Sequence, residues 1–516
     1  MTEHTSMALT SLLLKAGFLV GVIVLIAQYI IAYLRSPLKN IPGPFVAKFS
    51  NFWRFCNHYG QTHIETQKAL HKKYGDVVRL GPNTVSIVDA ALLKTIYSTR
   101  GTFLKSDYYS VNDALQNGHL IQNLFSTRSN EYHSRGLKPV QKLYSLQSAL
   151  QLEPLMNEDL RVLGSELERR FMRDGNKGKT CDIADWISYF AWDFLGDMTW
   201  SKRMGFMEQG KDVGGMLQTA ENVMRYFSVV GQIPALDKLL GKNPRMTKLY
   251  KFDDFAVAAG YAVERFMERM QNLDAFKDKK DFVNGFLAAK KEHPNLVGDN
   301  EVIGYMILNI LGGADTLAIC TKATFYHLLK SPAAKSRLAQ ELRDANLANP
   351  APYHALEKLP YLDACIKEGL RIHPVVGHIL ERVVPASGMS LPDGTVLPPG
   401  TIVGTNPWVM HTDPRIFGPD AEQYRPERWL QGDGETSEAY AARLKSMKDV
   451  DMSFGGGNRV CLGRPLALVE LYKVVSFVFR NYDIELEDPS KEWDLHKQWF
   501  VWPHNVKVKM SRFEKA

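Results

Sequence analysis

The chain opens on a block of apolar residues and then changes rhythm. Ala16 to Leu34, AGFLVGVIVLIAQYIIAYL, holds one strongly polar residue, Gln28. At 1.5 Å per residue this run spans about 28 Å, close to the ~30 Å hydrocarbon core of a bilayer. A cleaved signal has a shorter apolar run and a small-residue cleavage site, so a retained transmembrane anchor over residues 16–34 is expected. Arg35 and Lys39 follow the run, with Lys48 and Arg54 close behind, whereas only Lys15 precedes it, with Glu3 upstream. The positive-inside rule then puts residues 1–15 in the lumen as a short tail and the C-terminal bulk in the cytosol. Residues 35–45 contain LKNIPGP, where two prolines forbid helix continuation, and are expected to be a linker.

After the linker the pattern is that of a water-soluble body. YGDVVRLGPNTVSIVD, residues 74–89, alternates as two strands around a Gly-Pro-Asn turn. Residues 140–275 and 299–348 follow the 3.6-residue period of amphipathic helices. Strand alternation returns in residues 388–408 and in WFVWPHNVKVKM near the C-terminus. No repeat, low-complexity tract or Pro/Gly linker divides this region. The pattern predicts a mainly α body with small β-sheets (α+β), one domain over residues 46–516.

Composition changes this picture little. At 45% hydrophobic and 23% charged the chain has enough apolar material for a large core. The formal charge of +7 is spread over short runs such as FKDKKDF and AAKKEH, which read as solvated helix faces. A basic face for an acidic protein partner or anionic lipid is the sharper reading. No long Lys/Arg block points to nucleic acid. The five cysteines, Cys56, Cys181, Cys320, Cys365 and Cys461, are odd in number and widely spaced with no C-x-x-C, which argues against a disulfide framework and against a structural zinc site.

One of them stands in an unusual setting, FGGGNRVCLGRP, Phe454 to Pro465. The helical run LGRPLALVELYKVVSFVFR follows Cys461, and free N–H groups at a helix start favour a thiolate. Gly455, Gly456, Gly457 and Gly463 are expected to permit positive φ and close approach of the backbone to a flat ligand. Arg459 is placed to pair with a carboxylate on that ligand. Three further stretches stand apart. KEGLRIHP puts Glu368 and Arg371 on one helix face. YRPERWL carries Arg428. EVIGYMILNILGGADTLAICTK is a long apolar helix, with Asp299 or Asn300 as N-cap, broken by Gly312 and Gly313 beside Asp315 and Thr316. By itself this break reads equally as a packing kink with Thr316 bonded back to a carbonyl.

Together these stretches resemble the cytochrome P450 family. Phe454 to Gly463 fits its haem signature F-x-x-G-x-R-x-C-x-G without a gap, and residues 312–316 fit its oxygen-activation helix. YRPERWL fits its P-E-R-F segment with Trp429 in place of Phe. The resemblance implies the P450 fold behind a single N-terminal transmembrane helix. It also implies haem b (iron protoporphyrin IX) with Cys461 as axial thiolate and metal ligand, contacted by Phe454 and Gly455. Arg459 and Arg382 would hold the propionates. A third contact is expected near EYHSRGLKPV, where His133 replaces the family's aromatic and Leu137 its arginine, with Lys138 or Arg135 as substitute. Thr316 would hydrogen-bond the oxygen substrate and Asp315 would relay protons. Glu368, Arg371 and Arg428 would form a buried structural triad.

The function so implied is a monooxygenase that takes dioxygen and a small apolar organic substrate. With no P-loop and no G-x-G-x-x-G after a strand, electrons must come from a separate protein, an NADPH–cytochrome P450 reductase. An endoplasmic-reticulum membrane position follows, with the anchor in lipid. The overall flavour resembles fungal secondary-metabolism enzymes of the pisatin demethylase type, acting on a terpenoid, polyketide, alkaloid or phytoalexin. The rival readings are a haem-thiolate rearrangement or dehydratase enzyme that uses no dioxygen, and a non-catalytic haem-binding protein.

Overall fold

Residues 2–116, 119–173, 175–250 and 254–513 are described by the computed structural model of the chain. The first helix runs from Thr2 to Arg35, so it takes in most of the expected luminal tail as well as the apolar run. By length and composition two helical stretches could cross a membrane, Lys15–Arg35 and Asp299–Leu329. They differ in surroundings. The first has no buried share, and Leu19, Val20, Ile23, Ile30 and Leu34 are all exposed. The second is more than half buried inside the body and is a core helix of the fold.

The expected linker is docked rather than free. Leu38 and Ile41 are buried, and the Arg79 guanidinium donates to the Leu38 carbonyl (2.9 Å) and to Ser36 Oγ (3.1 Å). A Cβ on Gly43 would stand 2.2 Å from the Arg79 carbonyl oxygen, so this approach requires glycine. An arginine on a strand therefore fixes how the first helix joins the body, which hydrophobic periodicity does not reveal.

Part of the β content lies where alternation predicts it, whereas strands such as Leu104–Lys105, Arg382–Val383 and Tyr482–Leu486 fall outside the predicted regions. Val77–Gly81 and Thr84–Ile87 form the hairpin around Pro82 and Asn83. They continue into a five-stranded sheet through Ile402–Gly404, Arg382–Val383 and Leu104–Lys105. In that sheet Arg382 pairs with Val403 on one side and Lys105 on the other. Val501–His504 pairs with Asp494–Lys497, and Lys507–Arg512 with Tyr482–Leu486.

The helical body is layered around the long core helix. Ala314–Leu329 packs against Ile183–Trp200, Pro360–Ile372 and Arg464–Asn481. Nearly every residue of Ile183–Trp200 is buried, which is why its sequence shows little polar face. The core helix is capped by Gly298, one residue before the nearer of its two expected caps. Asp299 is already helical, because the Glu301 carboxylate reaches back to accept from the Gly298 N–H (2.8 Å).

Candidate active site

The cysteine loop presents its sulfur at a helix entrance. The Cys461 N–H donates to the Phe454 carbonyl (2.8 Å), which closes the loop, and the helix Arg464–Asn481 begins three residues on. The Gly463 and Arg464 amides donate towards the thiol and the Arg464 charge favours its ionised form, but burial outweighs them and pushes the thiol up. The helix start does favour the thiolate, as expected, but desolvation is the larger effect. Cys461 is nonetheless exposed by surface area. The loop thus leaves the Cys461 side chain accessible although the surrounding fold desolvates it.

Two of the four loop glycines behave as expected. Gly455 and Gly457 have φ of +70° and +67°, whereas Gly456 (−155°) and the helix cap Gly463 (−79°) do not need the left-handed region. A Cβ on Gly457 would also stand 2.4 Å from the Tyr97 carbonyl oxygen. Phe454 lends its carbonyl to the loop and its ring lies under the Arg464 guanidinium (5.7 Å).

The core helix passes near the same cysteine. It breaks at Gly313, whose absent Cβ would meet Leu195 Cδ1 at 2.8 Å, so this glycine serves close helix packing. Gly312 has nothing within 4 Å of a Cβ position and is exposed in the middle of a buried helix. Thr316 Oγ donates to the Gly312 carbonyl (2.7 Å). One turn on, the buried Cys320 stands within electrostatic reach of Cys461, which ties this face of the helix to the sulfur. Asp315 points elsewhere. It is buried, accepts from Trp192 Nε1 (3.0 Å), and desolvation raises it to about 6 despite that bond and the nearby Lys322.

A group of cations stands together at the sheet edge. Lys105 and Arg382 are directly opposite in register, an arrangement that like charges disfavour. Burial and the Arg382 and Arg459 charges together hold Lys105 well below its ordinary value. Arg459 is lowered to about 10 by desolvation and by Arg382. Its Nη2 donates to the Ser129 carbonyl (3.0 Å) and Asn130 Oδ1 (3.1 Å), while Nη1 is buried without a partner. His133, on the helix Asn130–Leu137, is pushed down to about 4 by burial and by Arg459 and Lys105. Lys138, which caps that helix, is exposed and stands outside this group, as does Arg135. Among the described residues no carboxylate pairs with Lys105, Arg382 or Arg459. A buried cluster of like charge with an orphaned donor fits a ligand carrying carboxylates, as haem propionates do. Lys105 was not expected from the sequence, because only the strand register brings it to Arg382.

The expected triad is present and closed. Arg371 donates to both oxygens of Glu368 (2.8 and 2.7 Å), and Arg428 Nε to Oε1 (3.3 Å). Trp429 Nε1 donates to Oε2 (2.9 Å) and the Arg425 amide to Oε1 (2.9 Å). Arg371 also serves the His411, Ala421 and Gln423 carbonyls. Above the core helix an aromatic group converges from distant segments. Trp499 lies 4.8 Å from Phe227 and 5.4 Å from Tyr108, with Tyr109 and Phe125 edge-on to it.

Comparison with known proteins accords with this geometry. A family model described as cytochrome P450 matches residues 42–510. The cytochrome P450 monooxygenase cfoH of Aspergillus candidus is 33% identical over 99% of this chain and 96% of its own length. The monooxygenase asR2 of Sarocladium schorii is 34% identical over 97% and 96%, and pkfB of Emericella nidulans 36% over 94% of each. The chain belongs to the cytochrome P450 family; it is an oxidoreductase of the monooxygenase type, and its cofactor is a cysteine-ligated haem b.

Proposed function

We propose that the chain is a membrane-anchored monooxygenase in which Cys461 is the haem ligand and Arg459, Arg382, Lys105 and His133 hold the propionates. It takes electrons from an NADPH–cytochrome P450 reductase at the endoplasmic-reticulum membrane and oxidises a small apolar organic substrate of fungal secondary metabolism. The observation that carries this is the exposed Cys461 sulfur inside the fold, with an unpaired cation cluster at one edge of the same region. The haem, when bound, supplies the redox centre at which dioxygen is reduced and one oxygen atom passes to substrate, the other leaving as water.

The chain's own residues supply position and protons. Gly312 leaves room beside the Thr316 hydroxyl, and the hydroxyl's bond to the Gly312 carbonyl holds it in place for an oxygen substrate. Asp315, raised to about 6, exchanges a proton near neutral pH, which suits a relay between solvent and that hydroxyl. Trp192 fixes the carboxylate through Oδ1. The aromatic group around Trp499 excludes water and offers an apolar surface to the substrate.

The test is turnover of fed substrate candidates with NADPH and reductase, against turnover with an organic hydroperoxide alone. Product only with reductase, NADPH and dioxygen is expected, and product without any of them would reject the monooxygenase assignment. In Thr316→Ala the carbon monoxide difference spectrum should persist while product formed per NADPH falls several-fold. Unchanged coupling there would remove Thr316 from the proton path.

A further inference from the structure

Two histidines five residues apart meet a third from far along the chain, buried beside the Trp499 aromatic group. His58 lies on the helix Phe52–Tyr59, His63 on His63–Tyr74, and His378 in the segment after Pro360–Ile372. All three are buried, and one nitrogen of each lies within 4.8 Å of the other two. The rings crowd together, His58 standing 4.1 Å from both His63 and His378 between centroids.

The hydrogen bonding of this cluster is incomplete. His58 Nδ1 and both nitrogens of His63 are buried without a partner. The Gly377 carbonyl accepts from Asn406 Nδ2 (3.0 Å) and its second lone pair is near enough to His63 to raise it slightly, which answers at most one of that ring's nitrogens. A buried polar group left unpaired is costly, so the remaining open nitrogens of His58 and His63 call for a partner. His378 differs. Its Nε2 meets Ser228 Oγ at 2.8 Å and its Nδ1 meets Tyr108 Oη at 3.3 Å.

The chemistry of that partner follows from the donors. Burial drives all three imidazoles to the neutral form, the form that ligates metals. The nearest charges cancel: Arg54 pairs with Glu381 at 2.5 Å, and Lys497 pairs with Glu65. An anion would find no free cation here and an apolar ligand would leave the nitrogens unpaired. We propose that His58, His63 and His378 form a divalent transition-metal site of the zinc class, three imidazoles with a fourth position open to water or a neighbouring hydroxyl.

Closing the site takes modest movement. Zinc–nitrogen bonds of 2.0–2.1 Å put tetrahedral ligand atoms about 3.3 Å apart, so the rings must rotate inwards from their present spacing. One nitrogen of His378 would exchange its hydroxyl for the metal while the other kept its bond and fixed the tautomer. A metal here would tie the two N-terminal helices to the segment that follows Pro360–Ile372. Through Ser228 it would also reach Met216–Val230, the helix that supplies Phe227 to the aromatic group.

The test uses the haem-loaded full chain, purified without a polyhistidine tag, equilibrated with zinc sulfate and freed of unbound metal. The ratio of zinc to haem iron is then measured by mass spectrometry, and X-ray absorption at the zinc edge counts the ligands. One zinc per iron is expected, with nitrogen or oxygen neighbours at about 2.0–2.1 Å and at least three imidazoles. His63→Gln and His378→Gln should each lower zinc affinity at least tenfold. Carbon monoxide spectra report whether each variant still folds around its haem. The part-exposed group Glu221, His496 and His504 is the rival site, so His496→Gln with His504→Gln should leave zinc binding intact. A native chain that retains no zinc overturns the proposal without any variant. So does zinc that survives both core substitutions, is lost with the surface pair, or shows a sulfur neighbour.

Discussion

Two buried groups of arginines in this molecule look alike in composition and differ in one respect. Around Glu368, Arg371 and Arg428 find its carboxylate and six further backbone or side-chain oxygens, and Trp429 completes the acceptor. Among the described residues no carboxylate pairs with Arg459, Lys105 or Arg382, the neighbouring Glu381 being held by Arg54, and one guanidinium nitrogen is left without a partner. The first group is finished by the chain itself. The second is finished only by something with negative charge. Burial of cations therefore does not by itself mark a binding site; what marks it is the missing counter-charge.

Breaking the closed group should have the larger effect. Glu368→Gln keeps the shape of the side chain and removes its charge, leaving Arg371 buried without a counter-ion and Arg428 with Asp420 alone. Loss of one partner of a buried pair costs about 3–5 kcal/mol, a large part of a protein's total stability. We expect little or no haem-loaded protein, with the variant unfolding at much lower denaturant concentration than the parent. A variant with parental stability would mean the network is not what holds this region.

The open group should respond with the opposite sign. Lys105→Met removes one charge from a repelling set and keeps the apolar stem between Tyr109 and Phe125, over whose rings the ammonium now lies at 4.2 Å. The haem-free chain should be at least as stable as the parent in a urea titration. Haem retention should fall about 10- to 100-fold, the equivalent of a charged hydrogen bond of roughly 1.5–3 kcal/mol, read by transfer to apomyoglobin. If both quantities fall together, Lys105 belongs to the structural class instead.

The same contrast predicts a pH effect. His133 is held at about 4 in the folded haem-free chain, against 6.5 for an ordinary histidine. Below 6.5 the unfolded chain therefore binds a proton that the folded one refuses. The stability this group contributes is present above pH 6.5 and is lost as pH falls towards 4. Propionates would raise His133 again, so haem binding near pH 5.5 should take up protons, measurable by titration calorimetry in buffers of different ionisation heat. His133→Gln should abolish that uptake.

What the sequence discloses follows the same division. The Cys461 loop, the Gly312–Thr316 break and the Glu368–Arg371 pair each lie within one short segment, where spacing along a helix or loop carries the geometry. The hairpin at 77–87 is legible for the same reason. Lys105 and the histidine cluster are not, because each depends on segments hundreds of positions apart meeting in a particular register: Lys105 with Arg382, His58 and His63 with His378. The docking of the linker on Arg79 and the reach of Glu301 back to Gly298 escape periodicity too, being set by single polar side chains. Of the two expected propionate contacts on this segment, His133 comes to the cation cluster while Lys138 remains exposed, since five residues turn a helix to about 140° from the starting direction.

The smallest effect should come from the position where this chain departs from the resemblance. Trp429 stands where the family usually has Phe, and its indole N–H donates to Glu368 Oε2 at 2.9 Å. Trp429→Phe removes that donor but leaves the same oxygen its bond from Arg371 Nε at 2.8 Å, so the carboxylate stays paired. The ring volume is partly conserved, and the loss should be near one ordinary hydrogen bond, about 0.5–1.5 kcal/mol, with haem content unchanged. In Glu368→Gln the indole would lose its charged acceptor but keep an amide oxygen. Combining the two substitutions should therefore cost less than the sum of the single effects. Full additivity would show that Trp429 packs beside the network without being part of it, and would shrink the closed group to the glutamate, its two arginines and the backbone.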